Sequence, residues 1–136
     1  MPALSTTCAQ FANILGGTSK VKNGVCTVEL SRTDIDLTIQ GTPTTMPLKT
    51  IFSFQILSGT DRALLLGDIV LLQEEVPRTA KALLDNGIVV SAIHNHWILD
   101  DPHLMYMHVQ AKMNPLSFAR IVANALNLRA EENDEE

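Results

Sequence analysis

Every histidine of the chain falls between positions 94 and 108: His94, His96, His103 and His108. A neutral imidazole offers a lone pair through one ring nitrogen and is the commonest protein ligand for transition metals. In an extended strand, residues two apart project from the same face. His94 and His96 therefore point together, with about 6–7 Å between their backbone positions. The chain then turns back through residues 98–103, and His108 returns on the facing strand. Directly opposed residues of such a pair stand about 4.5–5.5 Å apart at Cβ. A turn centred near Asp101 sets His108 opposite His94 or His96. The three rings share one face only if the paired residue numbers add to an even total, because a slip of one turns His108 to the other side. Three imidazoles on one sheet face make a first shell for a divalent transition metal and leave a position for water or substrate. Zinc is the first expectation, with copper, nickel, iron and manganese left open.

Carboxylates are at hand to complete such a site. Glu75 is the candidate for a fourth ligand or a general base acting on bound water. Asp68, Asp100 and Asp101 can orient a ring through its second nitrogen. Glu74 and Glu75 also suit a first helical turn, where acidic side chains oppose the macrodipole. Asn95 alternates away from the His94/His96 face and reads as a supporting hydrogen-bonder. Trp97 and Tyr106 read as core or as site wall. His103, beside Pro102 in the loop, is the weakest ligand candidate. The competing reading is a non-catalytic module that binds a small-molecule ligand or assembles with itself, in which the histidines form a polar cluster and exposed strands pair between subunits as a homodimer or higher homo-oligomer. A nucleophilic hydrolase has little support, since the chain holds no Gly-x-Ser-x-Gly elbow.

The elements that must position these residues follow from periodicity. Cys8, Phe11, Ala12 and Leu15 fall at helical spacing over 6–15, and Gly16-Gly17 supplies the stop. Alternation predicts strands over 25–30, 35–39 and 50–57, with a proline-bearing loop over 41–47. The near-continuous apolar run 63–72 predicts a strand buried on both faces, and Gly67 within it a bulge or a close backbone approach. A helix over 74–86 follows, with Val76, Thr79, Ala80, Leu83 and Leu84 as its inner stripe, Pro77 in its first turn and Asn86-Gly87 at its end. Strands over 88–97 and 104–111 flank the loop 98–103. Asn114-Pro115 opens a last helix running to about residue 128. The class is α+β: an antiparallel sheet with helices on one face, whose β-α-β-β-α second half is similar to a ferredoxin-like arrangement.

Composition limits what such a domain can do. With 136 residues, 46% of them apolar and 18% charged, the chain suits one globular domain over 1–128 and excludes a disordered segment as its bulk. Much of the net charge of −5 lies in the acidic tail, residues 129–136. The near-neutral remainder lacks the basic cluster that nucleic-acid binding requires. No apolar run approaches the roughly 20 residues of a membrane span. The first residues lack a basic stretch followed by a long apolar one, which predicts a cytoplasmic protein, or an exported one if a leader has been removed. Cys8 and Cys26 are not spaced as a metal pair and read first as two buried apolar side chains, with a disulfide as the alternative.

The segments Leu66-Gly67-Asp68-Ile69-Val70-Leu71, Glu75-Val76, Leu84 to Ile88 and Ala92-Ile93-His94-Asn95-His96, with Pro102 and Tyr106-Met107-His108, resemble the LppY/LpqO family. That bacterial group is named for mycobacterial lipoproteins. The resemblance covers about residues 8–128 and is most specific in the His-Asn-His…Pro…His segment. It implies that Gly67, Asp68, Glu75, His94, Asn95, His96, Pro102 and His108 occupy the family's signature positions, and that His103 falls where the family varies. Family members are often exported or lipid-anchored and can carry two copies of the domain. The chain departs from the family after His108, where Val109 to Asn114 lacks the usual aromatic and glycine-rich stretch.

Overall fold

Alternation sorts the side chains of a six-stranded antiparallel sheet into a face packed on helices and a face turned away from them. The computed structural model describes residues 3–128, so the acidic tail expected over 129–136 lies outside the described residues. Helix α1 (Leu4–Leu15) buries Thr7, Cys8, Phe11, Ala12 and Leu15, and ends at Gly16 in the left-handed conformation that glycine adopts without strain. Strands β1 (Thr18–Lys22) and β2 (Val25–Ser31) form a hairpin. Its turn is Asn23-Gly24, with positive φ at both residues, which matches the twist of the flanking strands. Strands β5 (Lys49–Ile56), β6 (Ala63–Leu72), β7 (Val89–Asn95) and β9 (Leu104–Met113) complete the sheet in the order β1-β2-β5-β6-β9-β7.

Helix α2 (Val76–Asp85), entered through a 3-10 turn over Gln73–Glu75, connects β6 to β7. Strand β9 inserts between those two and runs antiparallel to both. The result is a split β-α-β unit, the part of the ferredoxin-like expectation that the fold retains. Helix α3 (Pro115–Ala125) begins at Asn114, whose side chain accepts hydrogen bonds from the Leu116 and Ser117 N–H groups. Phe11, Phe52, Phe54 and Phe118 are each no more than 2% exposed and pack at ring centroid separations of 4.9–6.4 Å. Each such ring contributes about 1.5–3 kcal/mol by leaving water. Among the described residues, no helix is long and apolar enough to cross a membrane.

The other face is half covered. Strands β3 (Leu37–Ile39), β4 (Thr42–Thr44) and β8 (Asp100–Asp101) form a separate small sheet in the order β4-β3-β8. Leu37 and Leu48 pack on Val70 and Leu104, with Ile35, Ile39, Leu72 and Tyr106 around them. The strand expected over 35–39 thus belongs to this lid rather than to the main sheet. The loops expected over 41–47 and 98–103 each carry a short strand of it.

Three further expectations are corrected. β6 is not buried on both faces: Leu66 is 52% exposed, because the small sheet covers only the far end of the strand. Leu84, assigned to the inner stripe of its helix, is exposed, since a ten-residue helix lying on one sheet buries a narrow stripe centred on Thr79 and Leu83. Cys8 and Cys26 are joined in a disulfide, with Cα atoms 5.6 Å apart, which pins α1 to β2.

Gly67 marks a close approach and not a bulge. A Cβ there would lie 2.6 Å from the Phe52 ring and 2.9 Å from Val109. Gly67→Ala is expected to lower stability by about 1–3 kcal/mol, because neither neighbour can yield in the packed core. Urea denaturation reads this as a lower midpoint at unchanged slope; an unchanged midpoint would show that the core has slack at this position.

Candidate functional site

The register between β7 and β9 decides whether the histidines meet. Near the start of β7, Val89 pairs with Gln110 and Val90 with Val109, so that paired numbers add to an odd total. A bulge at Ser91 then shifts the ladder, and Ala92 pairs with His108, Ile93 with Met107, His94 with Tyr106 and Asn95 with Met105. These sums are even. The extra residue lets Val90 pack toward the helices while His94 takes the face of Tyr106 and His108. The Ser91 hydroxyl donates to the His108 carbonyl at 3.2 Å. His96 continues the alternation just past the strand, its N–H donating to the Leu104 carbonyl at 2.9 Å. The turn centre lies one residue earlier than expected, so His108 faces Ala92 and stands diagonal to His94.

His94 and His108 meet through their Nε2 atoms, 2.8 Å apart. The outer nitrogens are both committed to oxygens. His94 Nδ1 lies 2.9 Å from the Asn95 carbonyl, and His108 Nδ1 lies 2.5 Å from Asp68 Oδ1. Asp68 reaches this position because β6 pairs Asp68 with His108. A carbonyl and a carboxylate only accept, so each Nδ1 carries the hydrogen. In two neutral rings both Nε2 atoms would then hold lone pairs directed at each other, and a single proton between them makes the contact a hydrogen bond.

His96 shares the face but not the contact. Its ring lies tilted against Trp97, at 4.5 Å, and against Tyr106, at 4.4 Å. Its Nδ1 is buried and, among the described residues, has no hydrogen-bond partner. Burial pushes its pKa below the ordinary value, and the nearby Asp100 only partly opposes this. Tyr106 has its own pKa raised, by burial first and by the Asp68 charge second. Among the described residues, no three of His, Cys, Asp and Glu are gathered in an arrangement that could hold an ion. The structure brings together His94, His108 and Asp68, with Tyr106 beside them.

His103 and Asn95 belong to a second network on the loop. His103 Nδ1 lies 2.7 Å from Asp100 Oδ1, and its Nε2 lies 2.8 Å from Asn95 Oδ1. Asp100 Oδ2 accepts the Leu104 N–H at 2.9 Å, and its side chain is 1% exposed. Burial alone would raise the Asp100 carboxyl. The hydrogen bonds from His103 and Leu104 outweigh it and hold the pKa below the usual 3.8.

Glu75 is elsewhere. Its carboxylate accepts two hydrogen bonds from Arg32 and one from the Leu72 N–H, closing the turn from β6 into α2. Asp68 lies four residues back along the strand from Leu72, about 13 Å at ~3.3 Å per residue. Arg32 also holds Asp34 at 2.8 Å. The sequence signal for this partner is slight, an arginine two residues before an aspartate in what reads as a turn. Among the described residues, Glu75 makes no hydrogen bond to any histidine.

An antiparallel α+β domain with one open sheet face, carrying a carboxylate-backed pair of imidazoles, is the class that fold and site define. The chain belongs to the family described as Domain of Unknown Function (DUF1259), whose model matches residues 9–128. No curated protein matches the chain, and no solved structure does.

Asp100 has a folded-state pKa below that of the unfolded chain. Its contribution to stability is therefore complete above the ordinary carboxyl value and fades as pH falls toward the folded one. Asp100→Ala is expected to cost about 1–3 kcal/mol near neutrality, by leaving the Leu104 N–H and the His103 ring without their acceptor. Melting temperatures measured down the pH scale should show the gap to the parent narrowing below pH 4; a constant gap would assign the loss to packing.

Proposed function

We propose that the chain binds a divalent transition metal through Nε2 of His94 and His108, with zinc the first expectation. The observation that carries this reading is the opposition of two Nε2 lone pairs while both Nδ1 atoms are committed to oxygens. Something positive must sit between them, a proton or a metal ion. A carboxylate on the far nitrogen of a ligating histidine fixes its tautomer and raises its basicity, and Asp68 stands in that relation to His108. The Asn95 carbonyl does the same for His94. Metal–nitrogen bonds of about 2.0–2.1 Å ask the two nitrogens to part to roughly 3.3 Å at a tetrahedral angle. The separation of 2.8 Å comes within a small ring rotation of that value. The Asp68 and His108 side chains are 47% and 33% exposed, so water or a substrate group has access to the remaining positions.

His96 is a third ligand only if its ring leaves its contacts with Trp97 and Tyr106. Glu75, bound to Arg32, has no part in this reading. The likeness to the LppY/LpqO group supports it, since the signature positions Asp68, His94, Asn95 and His108 are the ones that make up the pair and its supports. The Cys8–Cys26 disulfide favours an oxidising compartment over the cytoplasm. A second reading, a polar cluster bridged by a proton, is favoured by the 2.8 Å separation itself, an ordinary hydrogen-bond length.

Titration calorimetry of untagged, chelator-stripped protein with zinc, copper or nickel separates the two. Metal binding should be abolished by His94→Ala and by His108→Ala, and weakened about 10–100-fold by Asp68→Asn. A parent protein that takes up none of these metals would sink the metal reading and leave the bridging proton.

A further inference from the structure

The two edges of the main sheet are not alike. β1, at one edge, reads Thr-Ser-Lys-Val-Lys. β7, at the other, reads Val-Val-Ser-Ala-Ile-His-Asn and holds no Asp, Glu, Lys, Arg or Pro, although every residue but Val90 is exposed. Open edges invite another strand, and lysines on an edge are a common deterrent. Antiparallel self-pairing of β1 about Val21 would set Lys20 against Lys22 of the second copy, a like-charge contact. Self-pairing of β7 sets no formal charge against its like.

We infer that β7 is a self-association edge: a second copy of this chain pairs antiparallel with it, extending six strands to twelve and bringing His94 of both copies onto one seam. The His96 N–H points at β9, and by alternation those of His94 and Ala92 do too. The outward N–H and C=O groups of the regular part of β7 are therefore those of Ile93 and Asn95. Only registers with an even residue sum use them. The Asn95 carbonyl already receives the His94 ring, so the seam centres on Ile93 against its own copy. Ala92 then lies opposite the partner's His94, on the face that carries the histidine pair. The two His94 residues stand on a diagonal, roughly 7–8 Å apart. An isologous contact of this kind closes on two copies. Ile93, 43% exposed, is covered with it.

The edge drives the pairing without any metal. Its bearing on the site rests on the metal reading above, since the partner's His94 becomes a neighbour of the bound ion.

Sedimentation velocity in chelator buffer tests the edge. The full chain is expected as a dimer, Ile93→Lys as a folded monomer by circular dichroism, and Val21→Lys as a dimer still. A monomeric parent, or an Ile93→Lys variant that stays dimeric, overturns the inference. If Ile93→Lys fails to fold, Ile93→Cys decides. Its Cα atoms would lie about 5.5 Å apart across the two-fold, within disulfide reach, so mild oxidation should give a covalent dimer that Val21→Cys does not give. Absence of that crosslink also overturns it. A monomer that binds metal sinks the seam alone; a dimer that binds none sinks the metal site alone.

Discussion

A β-strand can serve two masters only if its alternation is broken once. In β7 the break is the bulge at Ser91, where one residue without a partner shifts the ladder against β9 from an odd to an even sum. Before it, Val90 answers to the helical core. Beyond it, His94 answers to Tyr106 and His108. An unbroken strand would satisfy one demand and reverse the other, since the two faces are separated by a single residue of register. The meeting of the two Nε2 atoms depends on this more than on any property of the histidines. The ladder itself is ordinary; its defect is what makes the site.

The connection from β7 to β9 carries a second constraint. It leaves the main sheet, pairs two residues with β3 in the small sheet and returns. The buried Asp100 carboxylate and the His103 ring tie its start to its end, and the Gln40 N–H donates to the Leu99 carbonyl from the lid. Three of the four histidines therefore divide into two networks with different partners. His94 and His108 share a carboxylate-backed contact on the open face, while His103 and Asn95 close the loop. His96 belongs to neither: its ring lies against Trp97 and Tyr106, and its Nδ1 is buried without a partner among the described residues.

Long, strongly periodic segments were the legible part of the chain. The runs that became α1 and β5 announce themselves through i, i+3, i+4 spacing and alternation, β6 through a near-continuous apolar run, and Asn114-Pro115 marks the start of α3. The even-sum rule was also available from the sequence as a condition. What met it was not, because Ser91 looks like any other strand residue and the bulge arises from the competition between two packed faces. β1 is too polar and too exposed to stand out by alternation, although Asn23-Gly24 is a hairpin signal. The lid strands β4 and β8 have three and two residues, too few to establish a period. Glu75 is a candidate in the sequence because a carboxylate could complete a histidine site. Its partner Arg32 is 43 positions away, and nothing local joins them.

Gly67 and Asp68 are consecutive and face opposite ways. One lets the Phe52 ring and Val109 close on the backbone; the other presents a carboxylate to an imidazole. A single peptide plane thus joins a tight spot of the interior to the histidine pair. A substitution at either residue therefore bears on the packing of the aromatic core and on the seat of the carboxylate together. Core packing and the geometry of the histidine pair are geared together, and an engineer would have to turn both wheels at once.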